Sequence, residues 1–177
     1  NTPTVNTVDK LILPDNGTQD YWVQLGDDID GEASFDNSGH SVSLSSDGLI
    51  IAIGAPGNDA NGTKTNSGHV RIFKLNDNQW EQVGNDIDGE AAYDSSGNSV
   101  SLSSDGSTVA IGAPYNDGFN NSSGHVRIFK LNDEKIWTQI GSDIDGEAAG
   151  VFAGSSICLS SDGLTIAIGS DGNDNTG

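Results

Sequence analysis

The chain has 177 residues, with 26 acidic side chains against 7 basic ones and a net charge of -19. That field repels phosphate backbones and anionic lipid, which excludes nucleic-acid binding, and it favours cations, especially calcium; a solvated acidic surface suited to a salty habitat is the equally open plainer reading. Hydrophobic residues make up only 33% and glycine fills 24 positions, but the apolar residues fall in short ordered runs rather than the scatter of a disordered chain.

No apolar run approaches the roughly 20 residues of a membrane helix. No signal peptide is visible and the first residue is Asn1, so the chain reads as processed or trimmed.

The first apolar run, Val8 to Leu13, precedes Trp22 much as Val70 to Leu75 precedes Trp80. It reads as a degenerate third strand followed by a fourth, which makes residues 1–26 a partial blade. Asp28-Ile29-Asp30-Gly31-Glu32 follows, with Asp36 four residues beyond. Alternating carboxylates around a glycine turn suit a hard cation such as calcium. The same carboxylates also suit the capping of a turn by backbone hydrogen bonds.

Ser41-Val42-Ser43-Leu44 is short and alternating, as in a half-buried strand, and Asp47-Gly48 marks a hairpin turn. Leu49 to Ile53 is apolar throughout, as in a strand covered on both faces. Gly57-Asn58-Asp59 then opens a loop of residues that tolerate left-handed backbone, and a ligand-facing loop is the rival reading. A third strand is expected over His69 to Leu75 and an amphipathic fourth over Trp80 to Val83. Residues 40–84 therefore read as one blade.

The text then repeats. Asp86, Asp88, Glu90 and Asp94 return in the positions of Asp28, Asp30, Glu32 and Asp36. Ser99 to Gly106, Ala110 to Pro114, Ser123 to Asn132 and Trp137 complete a second blade over residues 98–141. Tyr115 and Phe119 in its loop could stack on a sugar. Asp143, Asp145 and Glu147 open a third round, with Val151 where Asp36 and Asp94 sit. Residues 155–177 supply first and second strands only. The whole reads as an all-β chain of four-stranded antiparallel propeller blades, about three blade equivalents. Known propellers close with roughly 4–8 blades, so the expected partners are further blades of a longer protein or other copies of the chain.

Ser38-Gly39-His40-Ser41-Val42, Asp47-Gly48, Ala52-Ile53-Gly54-Ala55-Pro56 and Gly68-His69-Val70-Arg71-Ile72-Phe73 together resemble the FG-GAP repeat family, which includes the propeller of integrin α subunits. The resemblance runs from about residue 22 to 174. It implies a β-propeller used for adhesion, ligand recognition or extracellular scaffolding, on a secreted, cell-surface or virion-surface protein. Many members hold calcium in a loop between the first two strands. Here that loop is only Ser45-Ser46-Asp47-Gly48, and likewise Ser103 to Gly106, too short to supply calcium's six to eight oxygens. The expected calcium site is therefore the acidic segment and not that loop.

The remaining signals are plainer. His69 and His125 share one repeat position and read as hydrogen-bonding residues; with His40 they form no ligand cluster. Cys158 replaces Ser43 and Ser101 and reads as a small buried thiol. Sequons at Asn16, Asn61, Asn120 and Asn121 favour a secreted glycoprotein. Neither a nucleophile elbow nor a carboxylate pair of unequal environment stands out, so no enzyme is expected. The function expected is a structural or adhesive module, with a carbohydrate-binding propeller as the alternative.

Overall fold

Alternating burial organises the molecule. The computed structural model describes residues 11–14, 22–60, 62–118 and 121–172. Strands β1 (Leu11–Pro14) and β2 (Trp22–Leu25) form a two-stranded antiparallel sheet. A blade follows from β3 (Ser41–Leu44), β4 (Ile50–Ala55), β5 (His69–Asn76) and β6 (Gln79–Gln82), in the spatial order β3-β4-β5-β6. After β7 (Ile87–Asp88), a second blade runs β8 (Ser99–Leu102), β9 (Thr108–Ala113), β10 (His125–Leu131) and β11 (Trp137–Gln139). After β12 (Ile144–Asp145), β13 (Ala153–Leu159) and β14 (Ile166–Ser170) form the last hairpin. All pairings between named strands are antiparallel, and the all-β blade architecture is the one the sequence implies.

Successive side chains of a strand point to opposite faces, and here each face feeds a different core. In β4, Ile51 and Ile53 pack with Ile29, Phe73 and Trp80. Ala52 faces the other way, with Val70 and Ile72, onto Val100, Leu102, Val109, Ile111 and Phe129 of the second blade. Ala110 and Val126 repeat that role against Leu159, Ile157, Ile166 and Ile168. A strand covered on both sides must be apolar at every position, which is why β4 and β9 read as continuous hydrophobic runs.

The acidic segment is not simply a turn. Ile87–Asp88 pairs with the start of β5, Val70 opposite Ile87 and His69 opposite Asp88, while β6 pairs with its end. Ile144–Asp145 repeats this on β10. Ile87 is buried in the inter-blade core, so the alternation of isoleucine and aspartate within the acidic segment is itself a strand pattern.

The Cys158 expectation is corrected. Its thiol is exposed. The two serines at its repeat position each accept a hydrogen bond from the following blade, Ser43 from Leu102 N and Ser101 from Leu159 N, both at 2.9 Å. Among the described residues no further blade stands beside β13, so the side chain that would be covered faces solvent.

Candidate functional site at the blade junctions

Several of the residues that repeat join one blade to the next. Ser41 donates to Gly97 O at 2.8 Å, and Ser99 to Gly154 O at 2.7 Å. Trp80 donates its indole N–H to Leu25 O at 3.1 Å, and Trp137 to Val83 O at 2.8 Å. Arg71 and Arg127 are buried, each lying 5.3 Å from the centre of a phenylalanine ring, Phe73 and Phe129. Each guanidinium donates to a backbone oxygen of the acidic segment before it, Asp30 O and Asp88 O, at 2.7 Å.

The carboxylates of the acidic segment separate into distinct environments. Asp36 is buried and accepts from Ala33 N at 3.1 Å and from Asn58 Nδ2 at 3.0 Å. Asp94 does the same with Ala91 N and Asn116 Nδ2, both at 2.9 Å. These two cap their turns. Val151 takes the position in the third round and is buried without a carboxylate. Asp28, Asp86 and Asp143 each accept from a glutamine four residues earlier, at 2.9, 2.7 and 2.6 Å. Asp30, Asp88, Asp145 and Glu147 are exposed.

The carboxylates that converge come from two successive acidic segments rather than one. Glu32 and Asp86 meet at His69, with Oε2 and Oδ2 lying 3.7 and 3.8 Å from Nδ1. Glu90 and Asp143 meet at His125, 3.9 and 3.8 Å from Nδ1. In each group the three donor atoms lie within 4.8 Å of one another, a composition and spacing able to hold a metal ion. His69 and His125 start β5 and β10, so each histidine stands in a group of side chains with metal-ligand chemistry, beside carboxylates rather than beside the other histidines. His40 is exposed and outside both groups. Burial lowers the pKa of both imidazoles, for His69 against the pull of Asp86 and Glu32, and so favours the neutral ring. Sequence reading missed these groups because the three residues of each lie far apart along the chain.

The loop after the second strand is built as a turn. Asn58 accepts from Ala60 N and Asn116 from Gly118 N, while Asp59 and Asp117 accept from Asn66 N and Ser122 N. Tyr115 packs edge-on against Phe152, with centroids 5.6 Å apart. Phe119 lies outside the described residues, as do Asn16, Asn61 and Asn120; Asn121 is exposed. Two other aromatics had no sequence signal. Phe35 and Tyr93 share a repeat position, are 91% and 65% exposed, and sit at φ of 74° and 71°. Bulky residues seldom adopt that conformation.

Residues 29–73 and 87–129 match the FG-GAP repeat. The chain carries FG-GAP repeats. The matched stretches hold the buried histidines, the inter-blade arginines and serines Ser41 and Ser99, and the turn-forming Asn58 and Asn116, so the FG-GAP pattern here combines blade-to-blade contacts with turn chemistry. Among solved structures, the chain is similar to a protein from Bacteroides uniformis provisionally named a 6-phosphogluconolactonase, at 16% identity and a TM-score of 0.59. The likeness covers 91% of this chain and 41% of that one, so the chain spans less than half of its neighbour's length. At that identity the likeness shows the fold. No curated protein matches the sequence.

Proposed function

We propose that these FG-GAP repeats form a non-catalytic structural or adhesive module that works outside the cell. One observation carries the reading: a recurring set of polar residues is engaged between blades, as in Ser41–Gly97, Trp80–Leu25 and Arg71–Asp30. A net charge of -19 also disfavours a phosphorylated, anionic substrate such as the lactone named for the structural neighbour. The exposed sequon at Asn121 and the acidic surface agree with secretion. Calcium enters as a loosely held counterion of exposed carboxylates such as Asp30, Asp88 and Glu147. Incubation with 6-phosphogluconolactone tests the first point. Hydrolysis should stay at the buffer rate, and turnover above it would overturn the reading.

The partners we propose are further blades, from the same polypeptide or from another copy. Val42 and Leu44 are 39% and 44% exposed, whereas Val100 and Leu102, in the same repeat positions, are 8% and 6% exposed beneath the preceding blade. Apolar strand faces of this kind seek cover. Light scattering of the purified chain should show association at micromolar concentration, and a compact, cooperatively folding monomer would refute it.

Carbohydrate binding is the second reading, and Phe35 and Tyr93 favour it. Exposed aromatic faces at recurring positions suit stacking on sugar rings. A glycan array separates the two: selective binding lost in Tyr93→Ala supports the lectin, and no binding supports the scaffold.

A further inference from the structure

Each blade junction gathers one imidazole and two carboxylates from three separate segments. Glu32 precedes β3, His69 begins β5, and Asp86 lies just before β7. The second junction repeats the set with Glu90, His125 and Asp143. We propose that each junction is a binding site for a borderline divalent metal ion, zinc in particular, held by His Nδ1 and the two carboxylates with a further position open to water.

The donor set selects the ion. Calcium prefers six to eight oxygens and has little use for an imidazole. Zinc takes mixed nitrogen and oxygen donors at ~2.0–2.2 Å in a tetrahedron, which places neighbouring donors about 3.4 Å apart. The observed separations from Nδ1 are 3.7 to 3.9 Å, so each carboxylate oxygen needs to approach Nδ1 by only a few tenths of an ångström, and all three donors lie within 4.8 Å of one another. The exposed side chains can supply that movement, since Glu32 is 42% and Asp86 27% exposed, while His69, at 1%, is fixed by packing. At these distances the carboxylates lie beyond hydrogen-bond reach of Nδ1. Each buried imidazole nitrogen therefore faces two like charges that repel one another, and a divalent ion relieves that repulsion.

Neighbouring cations leave the donors available. Arg127 Nη1 lies 3.6 Å from Oε1 of Glu90, while the other oxygen, Oε2, faces His125. Arg71 directs Nη2 to Asp30 O rather than to a carboxylate of the group. A bound ion would tie the segment entering a blade to the segment leaving it, through the first residue of that blade's third strand.

Calorimetric titration of the metal-stripped 177-residue chain with zinc chloride tests this, with calcium chloride as the competitor. Two ions per chain are expected, one for each group, with a rise in melting temperature. Glu32→Gln and Glu90→Gln replace exposed donors and should each reduce the stoichiometry from two to one. His69→Asn should do the same. If that buried variant fails to fold, the glutamate variants still decide the question. Cobalt(II) should give the intense visible bands of a four-coordinate ion. Absence of zinc binding at micromolar concentration, a stoichiometry unchanged in both glutamate variants, or displacement of zinc by equimolar calcium would overturn the assignment. None of these results bears on lactone hydrolysis or glycan binding, so this inference and the proposed function fail separately.

Discussion

The indole N–H of Trp80 reaches the carbonyl oxygen of Leu25, 3.1 Å away and 55 residues earlier in the chain. Trp137 repeats the contact with Val83. Glycines after β2 and β6 make room for the rings: a side-chain carbon at Gly26 would lie 2.8 Å from the Trp80 nitrogen, and one at Gly84 the same distance from Trp137 Cδ1. The tryptophan therefore ties each outer strand to the blade before it.

Replacing Trp80 by Ala should cost about 3 kcal/mol, the low end for a large aromatic, because the ring is only half-buried. Trp80→Phe keeps most of the ring and loses the hydrogen bond, so about 1 kcal/mol is expected. Urea unfolding measures both. A loss below about 1 kcal/mol for the alanine variant would show that the contact does not hold the blades.

Ser101→Ala leaves the Leu159 N–H without its acceptor at the blade interface and should cost about 1–3 kcal/mol. Cys158→Ser changes the exposed member of the same repeat position and should shift stability by less than about 0.5 kcal/mol. A maleimide should label Cys158 in the dilute, unassociated native chain as fast as in urea; protection from labelling there would place a cover over β13.

Gly112→Ala puts a methyl group inside contact distance of Gly154 O, a backbone atom of the next blade, whereas the space around Gly48 is open. The first substitution should cost at least about 3 kcal/mol or prevent folding. The second should cost about 1 kcal/mol from its left-handed φ alone. Equal melting temperatures for the two variants would contradict the close approach of the blades at their inner strands.

The hairpin carboxylates Asp47 and Asp105 set a pH dependence. Ser45 and Ser103 donate to them at 2.6 Å. Those bonds, with backbone donors from Leu49 and Ser107, hold both carboxyls below the usual carboxylate range. A folded pKa below the unfolded one gives stability that is complete above about pH 4 and is lost as pH falls through the folded value. Asp105→Asn should lower the melting temperature slightly at neutral pH, because the group is largely exposed. The gap from the parent chain should close as the pH falls below the usual carboxylate range and through the depressed folded value. A gap that widens on acidification would reverse the sign of the linkage.

The sequence by itself determined the four main strands of each blade and the blade architecture, though not the short strands Ile87–Asp88 and Ile144–Asp145. Ile51-Ala52-Ile53 and Val109-Ala110-Ile111 are apolar at every position because both sheet faces are covered, and Asp47-Gly48 can only turn, so local chemistry and final structure agree. It also showed which residues repeat, and the turn-capping role of Asp36 and Asp94 was one of two readings open there. Only the tertiary structure decided how the acidic segments are used. A carboxylate's partner is set by what lies across the blade junction, and that neighbour comes from far along the chain. Thus Glu32 faces His69 and Asp86, from segments far along the chain, Cys158 is exposed where Ser43 and Ser101 meet a following blade, and Phe35 and Tyr93 stand in solvent on a left-handed backbone. Repetition in sequence fixes what each position is. The stacking of one blade on the next fixes what each position touches.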